Sequence, residues 1–163
     1  MTTATGSSAR PNLVKVLFYS NDNGGDSNTE TLWAEPVGED LYKLLNSPFF
    51  FYGASFEDIV RALPAGDGML EFEEVVGRSG SSTYRVLVRK DCAQEQFDDY
   101  RGRLVALGCS IERAQGRLYA IDVPPGVDVD QVVQLLDAGD SNEVWDWEEG
   151  YRHDGSAPPQ RHH

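Results

Sequence analysis

The residues best suited to chemistry in this 163-residue chain lie in one short segment, GRSGSST at residues 77–83. Hydroxyl groups beside an arginine could supply a nucleophile, or they could bind an anion together with backbone N–H groups. The spacing fits neither established motif: Ser79 is followed directly by Gly80, unlike a nucleophile elbow, and a P-loop would need a lysine that this segment lacks. Two roles stay open for the segment, an anion-binding site or a Gly/Ser hinge between two domains.

A catalytic set is not evident elsewhere in the sequence. The histidine nearest to the predicted folded region is His153, which falls in a polar, Pro-rich tail. Cys92 and Cys109 flank a predicted helix, so they lie too far apart for a disulfide, and they lack zinc-ligand spacing. The Asp- and Asn-rich loop at 21–28 departs from the EF-hand pattern. We therefore expect no catalytic residue, no cofactor and no metal.

A run of four aromatic residues follows Pro48, at positions 49–52. Because successive side chains of an extended chain point to opposite sides, such a run directs rings both ways. The rings could plug a small core, or they could form a surface that binds a ligand or a protein.

A second aromatic group lies near the C-terminus, where Trp145, Trp147 and Tyr151 occur among acidic residues. Strand alternation places these three rings on one face. That face could pack beneath the helices or against the first part of the chain. Alternatively, aromatic anchors beside an acidic rim could bind a basic partner, since aromatic residues dominate binding hot spots.

The elements that must position these residues begin with a β-rich region at residues 12–77. Its segments of β-branched or alternating apolar residues are separated by turns, and they lie at 13–19, 29–35, 41–45, 56–63 and 69–76. Pro36 is predicted to end the second of these strands. Five short strands in succession predict a small SH3-like β-barrel.

Residues 83–152 show a different pattern. Apolar residues three and four apart predict a helix over 93–107 that ends at Gly108, and Asp128 is placed to cap a second helix that the segment at 139–141 stops. Strands are predicted at 83–89, 110–113, 117–123 and 144–151. The resulting order, β-α-β-β-α-β, is that of a ferredoxin-like domain.

The predicted protein is therefore α+β, with the barrel domain at 12–77, the ferredoxin-like domain at 83–152 and disordered tails at 1–11 and 153–163. Its formal net charge of −13 argues against nucleic acid or an anionic membrane as partner, because both attract clustered Lys and Arg. No apolar run approaches the roughly 20 residues of a membrane-spanning helix, and the N-terminus lacks the apolar region of a secretory signal. We expect a cytoplasmic protein, and its oligomeric state stays open.

Several segments resemble the bacterial family named domain of unknown function 4265. They are TLWAEPVG at 31–38, NSPFF at 46–50, RSGSSTYR at 78–85, LGC at 107–109 and DVP at 122–124, and the similarity extends over residues 12–152. The resemblance implies a bacterial cytoplasmic protein of this length and no established activity. It also implies a candidate shared site, of unspecified role, at Asn46, Phe49, Arg78, Ser79 and Ser82.

Two functions from different classes remain. The first is a non-enzymatic, acidic binding or adaptor protein, immunity-like or regulatory, that engages a basic protein or peptide through the candidate shared site and through Trp145 and Trp147. The second is a small-molecule sensor or an enzyme whose site lies between the two domains. The missing catalytic set favours the first function. A pocket between the domains lined by Phe49, Arg78, Ser79 and Ser82 would favour the second.

Overall fold

A computed structural model describes residues 12–20 and 29–154. The predicted tail at 1–11, the loop at 21–28 and residues 155–163 of the second predicted tail lie outside the described residues. Within the described part, a β-barrel is followed by a four-stranded sheet that two helices cover on one face. No helix in this part is long and apolar enough to cross a membrane.

The barrel is built from the five strands that the sequence predicted. They are β1 (Val14–Tyr19), β2 (Thr29–Gly38), β3 (Leu41–Leu44), β4 (Ile59–Pro64) and β5 (Leu70–Gly77). Consecutive strands pair antiparallel, and β5 returns to pair in parallel with β1. This last pairing closes the barrel, so that its strand edges are paired rather than exposed.

Strand β2 passes through Pro36, where the sequence predicted its end. The register shifts between Pro36 and Gly38, so the proline lies at a β-bulge opposite Tyr42. A bulge tolerates a residue without an N–H group, because the ladder is already interrupted there. The prediction that Pro36 ends the strand is therefore wrong.

The second unit contains four strands and two helices in the predicted order β-α-β-β-α-β. They are β6 (Ser82–Val88), α1 (Gln94–Leu107), β7 (Ser110–Gln115), β8 (Leu118–Val123), α2 (Val129–Ser141) and β9 (Trp145–Tyr151). The strands form an antiparallel sheet in the order β7-β8-β6-β9, so β6 is an inner strand and β9 is an edge strand.

The helices cover one face of this sheet. Tyr84 and Val86 of β6 point to that face and are fully buried with Phe97 and Leu104 of α1. Gly108 ends α1 in the left-handed conformation (φ 109°), as predicted, because a residue without Cβ adopts it without strain. Asp128 caps α2 by accepting a hydrogen bond from the backbone N–H of Asp130.

Helix α2 continues through Gly139 to Ser141, past its predicted end. A Cβ atom at Gly139 would lie 2.4 Å from Cε2 and Nε1 of Trp145. The bare backbone lets the indole pack directly on the helix, and Trp145 Nε1 donates a hydrogen bond to the Leu136 carbonyl at 3.0 Å. Gly139 thus serves helix–sheet contact rather than helix termination.

Cys92 and Cys109 are both free, in agreement with the predicted helix between them. Burial raises the pKa of the Cys109 thiol to about 11. A thiol with that pKa stays protonated at neutral pH and is a poor nucleophile. Cys109 is therefore a packing residue.

Replacing Gly139 with alanine should lower the free energy of unfolding by about 1–3 kcal/mol, because the new methyl group overpacks against Trp145. Gly102 in α1 is the matched control, since nothing lies within 4 Å of its Cβ position. Gly102→Ala should raise stability by about 0.5–1 kcal/mol through helix propensity alone. Urea unfolding measures both changes, and a shift of the same sign in both variants would contradict the packing role of Gly139.

Candidate functional site at the seam

The second face of the sheet packs against the barrel's β3–β4 connection, residues 45–58; we call this contact the seam. The Gly53 N–H donates to the Gly150 carbonyl at 2.9 Å, and the Ser55 and Thr83 hydroxyl oxygens lie 2.6 Å apart. Because strand side chains alternate, Thr83 and Arg85 point into the seam while Tyr84 points to the helices. The seam is therefore a polar, hydrogen-bonded contact between the two units.

Arg85 lies at the centre of the seam, with only 1% of its surface exposed. Its Nε donates to Glu148 at 2.7 Å, and its Nη1 donates to the carbonyls of Pro48 and Phe51 at 3.1 and 2.9 Å. The guanidinium also lies 4.7 Å from the ring centre of Tyr52. Its Nη2 has no hydrogen-bond partner among the described residues.

Glu30 of β2 holds the aromatic run from the barrel side. Its carboxylate accepts hydrogen bonds from three successive backbone N–H groups, those of Phe49, Phe50 and Phe51, at 2.8–2.9 Å. The resulting conformation turns Phe51 into the barrel core, where it meets Phe18 edge to face. Phe50 stays 38% exposed. The core role expected for this run is thus realised by Phe51, whereas Phe50 leaves apolar surface exposed.

A cleft of about 360 Å³ opens beside the aromatic run; we call it the seam cleft. Its walls include Phe49, Phe50 and Leu87, together with Arg85, Asp146 and Trp147. Phe50 and Leu87 are 38% and 44% exposed, high values for large apolar residues. The cleft therefore combines open apolar surface with charge, which makes it a candidate binding site.

The segment at 77–83 is packed against a buried carboxylate. Asp58 is fully buried, and it accepts hydrogen bonds from Arg78 Nη1 at 3.1 Å and from the Ser79 N–H at 2.9 Å. Burial raises the pKa of Asp58, and these donors oppose the rise. Arg78 Nη1 also donates to the Gly53 carbonyl, and its guanidinium lies 4.0 Å from the ring centre of Tyr151. This segment is a packed junction and not an exposed hinge.

The structure does not bring the candidate shared site together. Phe49 lines the seam cleft, whereas Arg78 and Ser79 belong to the junction. Ser82 is buried, and its hydroxyl oxygen accepts a hydrogen bond from the His153 N–H at 2.9 Å. This bond fixes the first residue of the predicted C-terminal tail to the sheet. Asn46 accepts a hydrogen bond from the Trp33 N–H and lines a separate cavity.

The three aromatic residues of β9 do not all share one face. Trp145 is fully buried beneath the helices, which is one of the two alternatives expected for this face. Trp147 packs against the same core, with its ring centre 6.0 Å from that of Tyr84, although the residue also borders the seam cleft. The register of β9 shifts at Gly150, which leaves Tyr151 paired with Thr83. This bulge turns Tyr151 into the seam. The prediction of one common face is therefore wrong for Tyr151.

A second cavity, of about 120 Å³, lies where β7 and β8 meet the connection; we call it the Asp122 cavity. Asp122 is 8% exposed, and its Oδ1 has no hydrogen-bond partner among the described residues. Burial raises the pKa of Asp122 to about 6. A hydrogen bond from the Ser81 side chain lowers this pKa, and the charges of Glu57 and Asp58 raise it further.

Sequence reasoning missed Arg85, Glu30 and Asp122 as residues of the seam. The one signal for Arg85 and Asp122 is a charged residue between two largely apolar neighbours, which are Tyr84 and Val86 for Arg85 and Ile121 and Val123 for Asp122. Glu30 carries no such signal, because acidic residues are common on the exposed side of strands.

Comparisons with known proteins agree with this architecture. The family model described as Domain of unknown function (DUF4265) matches residues 30–147. No curated protein matches the chain significantly. The crystal structure of a hypothetical protein from Neisseria gonorrhoeae is similar, with a TM-score of 0.72 at 16% sequence identity over 86% of this chain and 96% of that chain. At this identity the similarity shows a shared fold alone.

Arg78→Lys should lower the free energy of unfolding by about 1–3 kcal/mol, because lysine keeps the charge but cannot contact Asp58, Gly53 and the Tyr151 ring together. The melting temperature should fall by several degrees. Arg61→Lys is the control, since Arg61 forms an exposed pair with Glu74. Thermal unfolding monitored by circular dichroism gives the melting temperatures of Arg78→Lys and Arg61→Lys. Equal melting temperatures for the two variants would refute the structural role of Arg78.

Asp122→Asn should stabilise the protein in a pH-dependent way. The folded pKa of about 6 exceeds the ordinary 3.8, so the folded state binds more protons and wild-type stability falls as pH rises from about 4 to 6. Asparagine cannot ionise, so the variant's advantage should grow through this window to at most about 3 kcal/mol. Chemical unfolding at pH 4, 5, 6 and 7.5 tests this, with the exposed Asp98→Asn as control. An advantage that does not change with pH would contradict the assignment.

Proposed function

This chain belongs to the DUF4265 family, and we propose that it is a non-enzymatic binding protein that engages a basic protein or peptide through the seam cleft. The observation that carries the proposal is the exposed apolar surface of Phe50 and Leu87 beside the acidic edge strand β9. The net charge of −13 would attract a basic partner at long range and speed its association.

The charges around the cleft favour a cationic partner. Arg89 Nη2 contacts the carboxylates of both Asp140 and Asp146, at 3.1 and 3.0 Å. One cation therefore faces two carboxylates, which leaves net negative charge at the edge of the cleft. The Asp146 side chain is 66% exposed, so its carboxylate can reach a basic side chain of a partner. The apolar surface would contribute affinity, and the carboxylates would contribute specificity.

The junction supports a non-enzymatic role. The Ser79 hydroxyl donates its hydrogen bond to the Phe56 carbonyl at 2.7 Å rather than to a base. A serine nucleophile needs a neighbouring base that takes its proton. Arg78 is likewise engaged with the buried Asp58. Both residues therefore stabilise the contact between barrel and sheet.

The proposal includes the finer fold class and the location. The closed barrel of five short strands supports an SH3-like class for the first unit, and the β-α-β-β-α-β order with one antiparallel sheet supports a ferredoxin-like class for the second. The free Cys92 and Cys109 fit a reducing compartment, which supports a cytoplasmic protein. The acidic charge argues against nucleic acid and anionic membranes as partners.

A second candidate function is small-molecule binding in the same cleft. Arg85 lines the cleft, and its buried Nη2 has no partner among the described residues. A ligand with an acceptor atom and an aromatic ring would satisfy this donor and fill the apolar walls. The cleft volume of about 360 Å³ falls within the usual range of roughly 300–1,000 Å³ for ligand sites.

Fluorescence anisotropy with a panel of labelled peptides tests the leading proposal. Peptides that combine Lys or Arg with one apolar anchor should bind, and their affinity should fall as salt rises from 50 to 300 mM. Phe50→Ser should weaken binding by about tenfold or more, as expected of a hot-spot residue. Val105→Ser is the matched control, because Val105 is also exposed but lies on α1.

Two outcomes would refute the leading proposal. One is that acidic and basic peptides of equal length bind equally, and the other is that Phe50→Ser and Val105→Ser have the same effect.

A screen of aromatic amides and carboxylates by NMR tests the second candidate function, small-molecule binding in the seam cleft. Shifts confined to the Arg85 side-chain signals and the Phe49 and Phe50 backbone signals would support small-molecule binding, and the absence of such shifts would exclude it for these compounds.

A further inference from the structure

We propose that the Asp122 cavity binds a primary ammonium group on an aliphatic stem. The inference deepens the proposed function and rests on it in one respect, because the lysine side chain of a basic partner is the principal source of such a group. A small free amine carries the same chemistry. The two sources are separated by experiment below.

The position of Asp122 supplies the recognition group. Asp122 pairs with Thr83 of β6 and with Ser110 of β7, so its side chain lies on the seam face between two strands. It is 92% buried, and its Oδ1 has no hydrogen-bond partner among the described residues. A buried carboxylate oxygen without a donor is unfavourable, and buried polar groups in folded proteins are nearly always paired. The geometry therefore calls for an incoming donor.

The walls of the cavity suit an aliphatic stem. Leu45, Phe56 and Ala120 contribute apolar surface. A lysine side chain has this dual character, since its methylene groups pack on apolar surface while its ammonium group seeks a charge. At about 120 Å³, the cavity is much smaller than the roughly 300–1,000 Å³ of ordinary ligand sites, but it accommodates a short chain.

The surrounding charges are negative. Glu112 lines the cavity and is exposed, and none of the residues lining it is basic. The charges of Glu57 and Asp58 also act on Asp122, although Arg78 pairs with Asp58. The remaining titratable neighbour is the Cys109 thiol, which is protonated at neutral pH. An ammonium group would therefore be attracted, and an anion would be repelled.

The hydrogen-bonding capacity of Asp122 favours an ammonium group over a guanidinium or a divalent metal. The Ser81 side chain favours the ionised carboxylate and lowers the pKa of Asp122, while Oδ1 has no hydrogen-bond partner among the described residues. A guanidinium is best recognised by two free oxygens in a fork, whereas an ammonium is a compact donor that needs one. Within the described part of the chain, no three acidic, histidine or cysteine side chains converge to hold a metal ion.

NMR titration of the full chain at pH 7.5 with three small probes tests the inference. n-Butylamine should shift the backbone signals of Ile111, Ala120 and Asp122 in a saturable way. n-Butanol, which has the same stem without the charge, should bind at least about tenfold more weakly. Magnesium chloride, added alone, should leave these signals unchanged.

Asp122→Asn should abolish the n-butylamine response. This variant is expected to be at least as stable as the wild type at pH 7.5, so its loss of binding would not reflect unfolding. Glu112→Gln should weaken the response only a few-fold, and Asp98→Asn on α1 should not change it. A response that survives in Asp122→Asn, an equal response to n-butanol, or saturable binding of magnesium to these residues would overturn the inference.

A capped Ala-Lys-Ala peptide separates the two sources. Shifts of the same residues by this peptide would assign the site to a lysine side chain, whereas shifts by n-butylamine alone would assign it to a small free amine. Basic peptides that lose affinity with Phe50→Ser but keep it with Asp122→Asn would refute the lysine anchor while leaving the proposed function intact. A cavity that binds n-butylamine while no basic peptide binds the chain would refute the proposed function alone.

Discussion

The buried guanidinium of Arg85 is the interaction on which the arrangement of the two units depends. It sits in the middle of the inner strand β6 and binds the Glu148 carboxylate on its own sheet and the Pro48 and Phe51 carbonyls of the barrel connection. A buried cation is tolerated only where such partners surround it, because removing it from water is costly. The sheet can therefore bury Arg85 only when the barrel connection lies across it.

The same connection is satisfied from its other side by a group of opposite charge. Backbone N–H and C=O groups that leave regular secondary structure must still find partners when they are buried. Glu30 of the barrel accepts from the N–H groups of residues 49–51, while Arg85 of the sheet donates to the carbonyls of residues 48 and 51. An irregular aromatic segment is thus fixed between two charged side chains. Its rings consequently divide between the barrel core and the seam cleft.

Three carboxylates at the seam differ in how they are satisfied. Asp58 is enclosed by Arg78 and the Ser79 N–H, and Glu148 is bound by Arg85, so both belong to the frame. Asp122 is nearly as buried as Asp58, yet one of its oxygens has no partner within the described residues. Burying a carboxylate without a full set of donors weakens folding at neutral pH. This unsatisfied oxygen is the observation on which the proposed ammonium site rests.

Local patterns in the sequence determined the elements. Segments of β-branched or alternating apolar residues predicted the five barrel strands, and three-four spacing predicted both helices. Gly108 and Asp128 marked helix ends correctly. The family resemblance was also visible there and is confirmed. The sequence indicated few of the cavity-lining residues: Phe49 and Trp147 border the seam cleft, and Asn46 lines the Asp122 cavity. Arg85 and Glu30 meet at the aromatic run only after both units have folded, and Tyr151 changes face through a bulge at Gly150 that strict alternation cannot reveal. Periodicity reports on which face a side chain lies, whereas the partners of buried charges depend on contacts between residues far apart in the chain, so only the tertiary structure could decide them.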